Sequence, residues 1–327
     1  MLATDIAGMH LRSPVILAAG TAGTLGEMAE VLDLSRVGAI VTKSITPQPR
    51  EGNGPWRVAP LKAGMINAVG LANPGIESFI EQHAPKIPSI PTPIIGSIAG
   101  FSIEDYTRVA AEMEAAQSIP AVELNVSCPN VKHGVEIGAE PKLLAQLIRA
   151  VRPILQTTRL FVKLPPVTIG TPNSIVDLAR ACIEPESILG QSCPPAGPNS
   201  RPGADALSLC NTTPGMAIDV HARRPKIGNI TGGISGPAVH NTVVRLIHLV
   251  YTQIARDSNT PIIGIGGVTT WDDAAEFILA GATAIEVGTA LFASPAAPIK
   301  IAKGLSKWGS QQGATNLREL VGQITLA

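Results

Sequence analysis

Ala121-Val122-Glu123-Leu124-Asn125-Val126-Ser127-Cys128-Pro129-Asn130-Val131-Lys132-His133-Gly134 begins as an apolar strand and gives way abruptly to a polar loop containing a thiol. Such a loop puts chemistry at the C-terminal end of its strand. Asn and Ser supply donors and acceptors for a planar polar ligand, and a cysteine among them can serve as a positioned acid or base. Free cysteine is also among the most buried residue types. Here, however, Cys128 stands in a loop with Pro129, Lys132 and His133, which favours a functional thiol over a packing one.

Working outward, the same strand-then-helix rhythm recurs along the chain. Apolar runs at 15–18, 39–43, 93–98, 121–125, 160–164, 205–209, 261–265 and 284–287 read as strands. Helical patterns follow most of them: through Met28, Val31 and Leu32, then at 102–116, 141–151, 173–182, 237–255 and 271–280. Ser102 is placed as the N-cap of its helix, with Asp105 at the third helical position. Eight such units predict an α/β (β/α)8 barrel, a single domain over residues 1–327 with its active site at the C-terminal strand ends. An open doubly wound sheet would need a three-glycine fingerprint at the first strand, and Gly20-Thr-Ala-Gly23 lacks the third glycine.

Two segments break the rhythm. Residues 44–74, after the second strand, are rich in Pro, Gly and Asn yet hold Trp56, Met65, Ile66, Val69 and Leu71, which predicts a folded cover with these side chains buried. Residues 184–202, before the sixth strand, are dense in proline, which argues against helix or central strand. That insertion lies on the face away from the chemistry, so a surface or contact role fits it and its Cys193 better than catalysis.

Composition narrows the function. Among 327 residues, 25 basic and 25 acidic side chains cancel, and no basic stripe suggests nucleic acid. Aromatics make up 3 % against 45 % hydrophobic residues, so small aliphatic side chains must fill the core, as in covered parallel strands. Four scattered cysteines without metal-ligand spacing predict a reducing cytoplasm and no metal site. No stretch reads as a leader or a membrane span.

Gly264-Ile265-Gly266-Gly267 and Gly288-Thr289 close consecutive strands, and Thr231-Gly232-Gly233-Ile234-Ser235-Gly236-Pro237 opens a later helix. Glycines can merely permit tight turns. Paired at the last two strand ends of a barrel, they predict a phosphate cradle of backbone N–H groups. Lys43 and Lys163 end the second and fifth strands, and a lysine there either faces an anion or snorkels at the rim. Asn67, Asn125, Asn130 and Asn211 also fall at strand ends. Amides with lysine suit a small planar anion such as a pyrimidine carboxylate.

These motifs, with Lys43-Ser-Ile-Thr-Pro-Gln-Pro-Arg50-Glu-Gly-Asn53, Gly64-Met-Ile-Asn67-Ala-Val-Gly-Leu71-Ala-Asn73-Pro-Gly75 and Gly232-Gly-Ile-Ser-Gly-Pro-Ala238, resemble the catalytic subunit of class 1 dihydroorotate dehydrogenases, nearest to class 1B. The resemblance runs through nearly the whole chain. It implies oxidation of dihydroorotate to orotate in pyrimidine biosynthesis, with FMN as cofactor and Cys128 as the base at substrate C5. It implies an orotate set of Lys43, Asn67, Ala68, Val69, Gly70, Leu71, Asn125, Asn130, Asn211 and Thr212. The flavin set would be Ala19, Lys43, Ser44, Ser97, Asn125, Lys163, Cys210, Gly236, Gly266, Gly267, Gly288 and Thr289.

A homodimer and a partner subunit carrying FAD and an iron–sulfur cluster, passing electrons to NAD, complete the implied assembly. Ala19, Ala22 and Ser97 depart from the serine, aromatic and asparagine common in the family, and flavin binding is expected to survive these changes. Alternatives at this level are a fumarate-linked class 1A enzyme, a reductase similar to the final domain of dihydropyrimidine dehydrogenase, a flavin-free aldolase with a Schiff base on Lys163, and a non-catalytic subunit that keeps the fold.

Overall fold

A computed structural model describes residues 1–127, 137–166, 172–193 and 201–325. The eight expected strands form a closed parallel barrel. They are Val15–Leu17 (β1), Ile40–Val41 (β2), Ile94–Ile98 (β3), Ala121–Asn125 (β4), Arg159–Leu164 (β5), Ala206–Leu209 (β6), Ile262–Ile265 (β7) and Ala284–Val287 (β8). Each pairs with its sequence neighbours, and β8 pairs with β1 to close the ring.

Side chains alternate between two cores, as the pleat of a strand requires. Outward residues such as Val122, Leu124, Leu160, Val162, Leu207 and Ile285 pack under the helices. Inward residues Ile16, Val41, Ile95, Ala121, Phe161, Ala206, Ile263 and Ala284 fill the bottom of the barrel. A short antiparallel hairpin, Thr4–Ile6 with Met9–Leu11, plugs that end and adds Ile6, Met9 and Leu11 to the same cluster. The Arg159 side chain pins it, donating to the Ala7 carbonyl at 2.7 Å and the Gly8 carbonyl at 2.9 Å. With its floor sealed by apolar side chains, the barrel opens only upward.

Helices Ile103–Ala115, Pro141–Val151, Ile175–Ile183, His240–Val250, Trp271–Ala280 and Ala297–Gln311 form most of the outer ring. The Ser102 hydroxyl accepts from the Asp105 backbone N–H, the cap read from the sequence. The pattern through Met28, Val31 and Leu32 does not form an α-helix. Only a 3-10 turn at Glu27–Glu30 appears, because Asp33 already caps a second turn at Leu34–Arg36 and leaves too few residues between. The insertion is corrected too: Pro185–Leu189 is a short helix, since proline at the first helical position removes no needed N–H, and Gly190 ends it in the left-handed conformation. Its residues 194–200 lie outside the described residues.

The cover is a four-stranded antiparallel sheet over the C-terminal end. Val58–Leu61 and Gly64–Asn67 come from the long segment after β2, while Thr213–Met216 and Thr231–Ser235 come from a second excursion after β6. The run from Thr231, read above as a helix start, is therefore a strand whose partners include Gly64–Asn67. Ile66 is buried under the sheet, whereas Trp56, expected inside, is 74 % exposed. It precedes the hairpin and is fastened through its backbone, its carbonyl accepting from Gly228 N–H at 2.8 Å.

Candidate active site

Cover and barrel enclose a cavity of about 660 Å³. It is lined by Ala19, Lys43, Ser44, Lys163, Cys210 and the amides Asn67, Asn125 and Asn211. The stretch Ala68, Val69, Gly70 and Leu71 lines the cover side with Thr212, and Gly236, Gly266, Gly267, Gly288 and Thr289 line the opposite wall. Thus residues scattered from 19 to 289 converge on one space. Cys128 and Asn130 lie outside the described residues, as do Lys132 and His133.

Hydrogen bonds order the polar side of this space. Asn211 Nδ2 donates to Asn125 Oδ1 at 3.0 Å, Asn125 Nδ2 donates to Ser44 Oγ at 3.3 Å, and Ser44 Oγ lies 2.9 Å from Ser97 Oγ. Thr212 N–H closes the run by donating to Asn211 Oδ1 at 2.7 Å. The hydroxyl of Tyr106 donates to the Asn125 backbone carbonyl at 2.7 Å, so the strand end itself is anchored. Ser97 is the one described member of the expected set that does not line the cavity. It is fully buried with its backbone N–H on Thr42 Oγ1 at 2.8 Å, and it reaches the site only through Ser44.

The cover is tied down by amides as well. Asn67 Nδ2 donates to the Gly233 carbonyl at 3.2 Å and Asn53 Nδ2 to the Ala68 carbonyl at 2.9 Å. At the exit, Asn73 Oδ1 accepts from Thr46 N–H at 3.1 Å and Gly75 N–H at 2.9 Å. These bonds hold residues 68–71 over the barrel mouth. Asn73 was quoted above only as part of a motif, and its place as a clamp depends on a partner 27 residues away.

On the glycine wall, side chains are sterically excluded at Gly236 and Gly267. Gly236 and Gly267 have φ of 90° and 78°, and a Cβ on Gly236 would stand 2.7 Å from Gly64 Cα. A Cβ on Gly267 would stand 2.7 Å from His240 Cβ and 2.9 Å from the Gly236 carbonyl oxygen. The wall therefore presents backbone to the cavity, next to the Pro237–Val239 turn that leads into helix His240–Val250. Such a surface can accept a phosphate, and Ser127 Oγ, buried and without a hydrogen-bond partner among the described residues, offers a further polar contact in the cavity.

Lys163 does not snorkel. Its Nζ lies 3.6 Å from Glu123 Oε1 and 3.6 Å from Glu286 Oε2, inside the barrel. Burial works against its charge, but the neighbouring acids, Glu123 first and then Glu286, outweigh that and raise its pKa. A permanently charged ammonium is a poor Schiff-base nucleophile, which removes the ground for the aldolase reading. Glu123 and Glu286 were missed as site residues. The available signal was parity: each is an acid within an otherwise apolar strand, two residues above an inward core position, Ala121 or Ala284. Burial pushes the Cys210 thiol up to about 12, so this cavity-lining cysteine stays protonated.

Among the described residues no helix is long and apolar enough to cross a membrane. The family model described as dihydroorotate dehydrogenase matches residues 1–187 and 199–308, passing over the centre of the proline-rich insertion. Proteins named "Dihydroorotate dehydrogenase B (NAD(+)), catalytic subunit" are similar along their full length. That of Trichlorobacter lovleyi is 40 % identical over 324 residues, 99 % of this chain and 98 % of the relative. That of Desulforudis audaxviator is 42 % identical over 321 residues, covering 98 % and 96 %. The Bacteroides thetaiotaomicron protein is 39 % identical over 324 residues, covering 99 % and 98 %. A barrel closed by β8 on β1, a cavity at its C-terminal end and a match along nearly the whole chain lead to one conclusion: the chain belongs to the dihydroorotate dehydrogenase family, a family of oxidoreductases.

Proposed function

We propose that the chain oxidises dihydroorotate to orotate in pyrimidine biosynthesis, using FMN, and that its electrons pass through a partner subunit to NAD. The observation that carries the substrate is the linked amide and hydroxyl run of Ser44, Asn125, Asn211 and Thr212 in a cavity whose opposite wall is rich in glycine. An amide-rich end suits the many donors and acceptors of a pyrimidine ring. A glycine wall suits the phosphate of a mononucleotide cofactor.

In this reading Gly236, Gly266, Gly267, Gly288 and Thr289 hold the phosphate side of FMN, and Ala19, Lys43, Ser44, Asn125, Lys163 and Cys210 hold its ring, with Ser97 supporting Ser44. When bound, FMN supplies the two-electron acceptor for the hydride leaving substrate C6. Cys128 Sγ takes the proton from C5; its ordinary pKa of about 8.5 comes within reach of neutral pH when cations are near. Lys43, with Asn67, Asn125, Asn130, Asn211, Thr212 and the 68–71 stretch, orients the substrate so that both C–H bonds are addressed at once. The sheet above excludes water, which strengthens each of these polar contacts.

The partner is the finer part of the proposal. The relatives named above are, by name, catalytic subunits of an NAD(+) enzyme, which supports a partner subunit for this chain; the FAD and iron–sulfur content of that partner and a homodimeric core are proposed from the resemblance of the motifs alone. Purified chain should oxidise dihydroorotate with artificial acceptors, and should reduce NAD only after a flavin and iron–sulfur subunit is added. Rapid turnover with fumarate by the chain alone would replace the NAD-linked reading with the self-sufficient one. Uracil reduction without dihydroorotate oxidation would replace the substrate.

A further inference from the structure

The interior of the barrel above its apolar floor contains an unequal pair of acids. Glu123 and Glu286 flank the same ammonium, Lys163 Nζ, at 3.6 Å each, and both are essentially sealed from solvent within the protein. Their surroundings differ. Glu123 Oε2 accepts a hydrogen bond from Ser208 Oγ at 2.7 Å, while among the described residues both oxygens of Glu286 lack a hydrogen-bond partner, as does Glu123 Oε1. Glu286 and Lys163 line the cavity, and Glu123 stands behind them.

Two buried carboxylates cannot both be ionised beside one ammonium without leaving a net charge in a low-dielectric space. A proton must be retained, and the geometry decides where. Glu123 has a hydroxyl donor besides the ammonium that both acids share, whereas Glu286 has the ammonium alone. A proton on Glu286 also turns an acceptor without a hydrogen bond into a donor, and Glu123, on the same ammonium, carries an oxygen, Oε1, that accepts none. Of the other ionisable groups lining this space among the described residues, Cys210 is held neutral by burial, and Lys43 enters from the end of β2 with its Nζ close to Gly20.

We propose that Glu286 is a positioning residue held as a neutral acid that shares its proton with Glu123, so that Lys163 keeps one counterion instead of two and the cavity floor carries no net negative charge beneath the ring bound there. Burial first, then the adjacent Glu123 carboxylate, push the Glu286 pKa well above the usual carboxylate range, in the same direction. The consequence for a flavin is electrostatic: a floor without excess negative charge favours the reduced, more anionic ring. This part rests on the flavin reading above; the protonation of Glu286 does not.

The test is infrared spectroscopy of the whole protein at neutral pH, comparing wild type with Glu286→Gln. Wild type should show a carboxylic-acid C=O band, sensitive to deuterium exchange, that Glu286→Gln loses. The variant imitates the neutral acid and should fold with undiminished stability. Absence of an acid band in wild type at neutral pH overturns the proposal even if the variant fails to fold.

The positioning role is read from the flavin midpoint potential against pH. It should bend downward where Glu286 ionises, and Glu286→Gln should remove that bend; a bend that survives, or a neutral-pH potential raised by the variant, contradicts the role. A protein that shows the band but binds no FMN would refute the flavin reading while leaving the acid in place.

Discussion

Asn211 Nδ2 donates to Asn125 Oδ1 at 3.0 Å, joining the ends of β4 and β6 across the intervening strand β5. The bond orients both amides before any ligand arrives, so neither has to be ordered on binding. Replacing Asn211 with Ala removes one direct contact and frees Asn125 to rotate. Orotate affinity should fall by about tenfold, the equivalent of one hydrogen bond of roughly 1–1.5 kcal/mol. Equilibrium titration of orotate measures it, and unchanged affinity would mean the pair serves only to brace the strands.

Cys128→Ala should keep FMN bound but slow reduction by dihydroorotate about a hundredfold or more, the usual cost of losing a general base. Stopped-flow absorbance under anaerobic conditions separates the two effects. Reduction at the wild-type rate would take Cys128 out of the proton transfer. Lys43→Ala is the companion variant: orotate binding should weaken, and undiminished binding would return Lys43 to the rim.

Gly236→Ala tests the glycine wall. With φ of 90° and a new Cβ 2.7 Å from Gly64 Cα, the substitution strains its own backbone and pushes on the cover strand Gly64–Asn67. About 1–3 kcal/mol of stability should be lost, together with flavin affinity. Denaturant unfolding and fluorescence titration with FMN report the two quantities. Full retention of both would show that the wall yields easily and does not set the cofactor contact.

The acid limb of stability should depend on Asp273. Burial opposes its charge, but hydrogen bonds from Thr269 and Thr270 win and hold its pKa below the usual carboxylate value. Asp273 Oδ2 accepts from Thr269 N–H at 2.8 Å and Thr270 N–H at 2.9 Å, fixing the start of helix Trp271–Ala280 just beyond Gly266 and Gly267. A carboxylate with a depressed folded pKa contributes stability that is present above its unfolded value, about 3.9, and lost as pH falls through the folded one. Asp273→Ala should therefore lower the melting temperature at neutral pH and converge with wild type in strong acid. A difference that stays constant across that range would contradict the assignment.

Much of the barrel was legible because its signals are local. The apolar runs at 160–164 and 205–209 are strands as expected, and the helices Pro141–Val151 and Trp271–Ala280 begin and end where expected. The parts that were not legible depend on distant partners. Thr231–Ser235 looks like a glycine loop until Gly64–Asn67 is laid beside it, and Glu286 is an odd acid in a strand until Lys163 and Glu123 surround it. Trp56 misled because hydrophobicity predicts a preference for burial but not whether a cover has an inside at that point.

The most direct test of the account is the visible spectrum of purified protein, held anaerobically, before and after dihydroorotate is added. The account predicts a yellow protein whose flavin bleaches as orotate appears in equal amount. Yellow protein that keeps its colour would contradict the substrate, and colourless protein that cannot be reconstituted with FMN would contradict the cofactor and with it the proposed reaction.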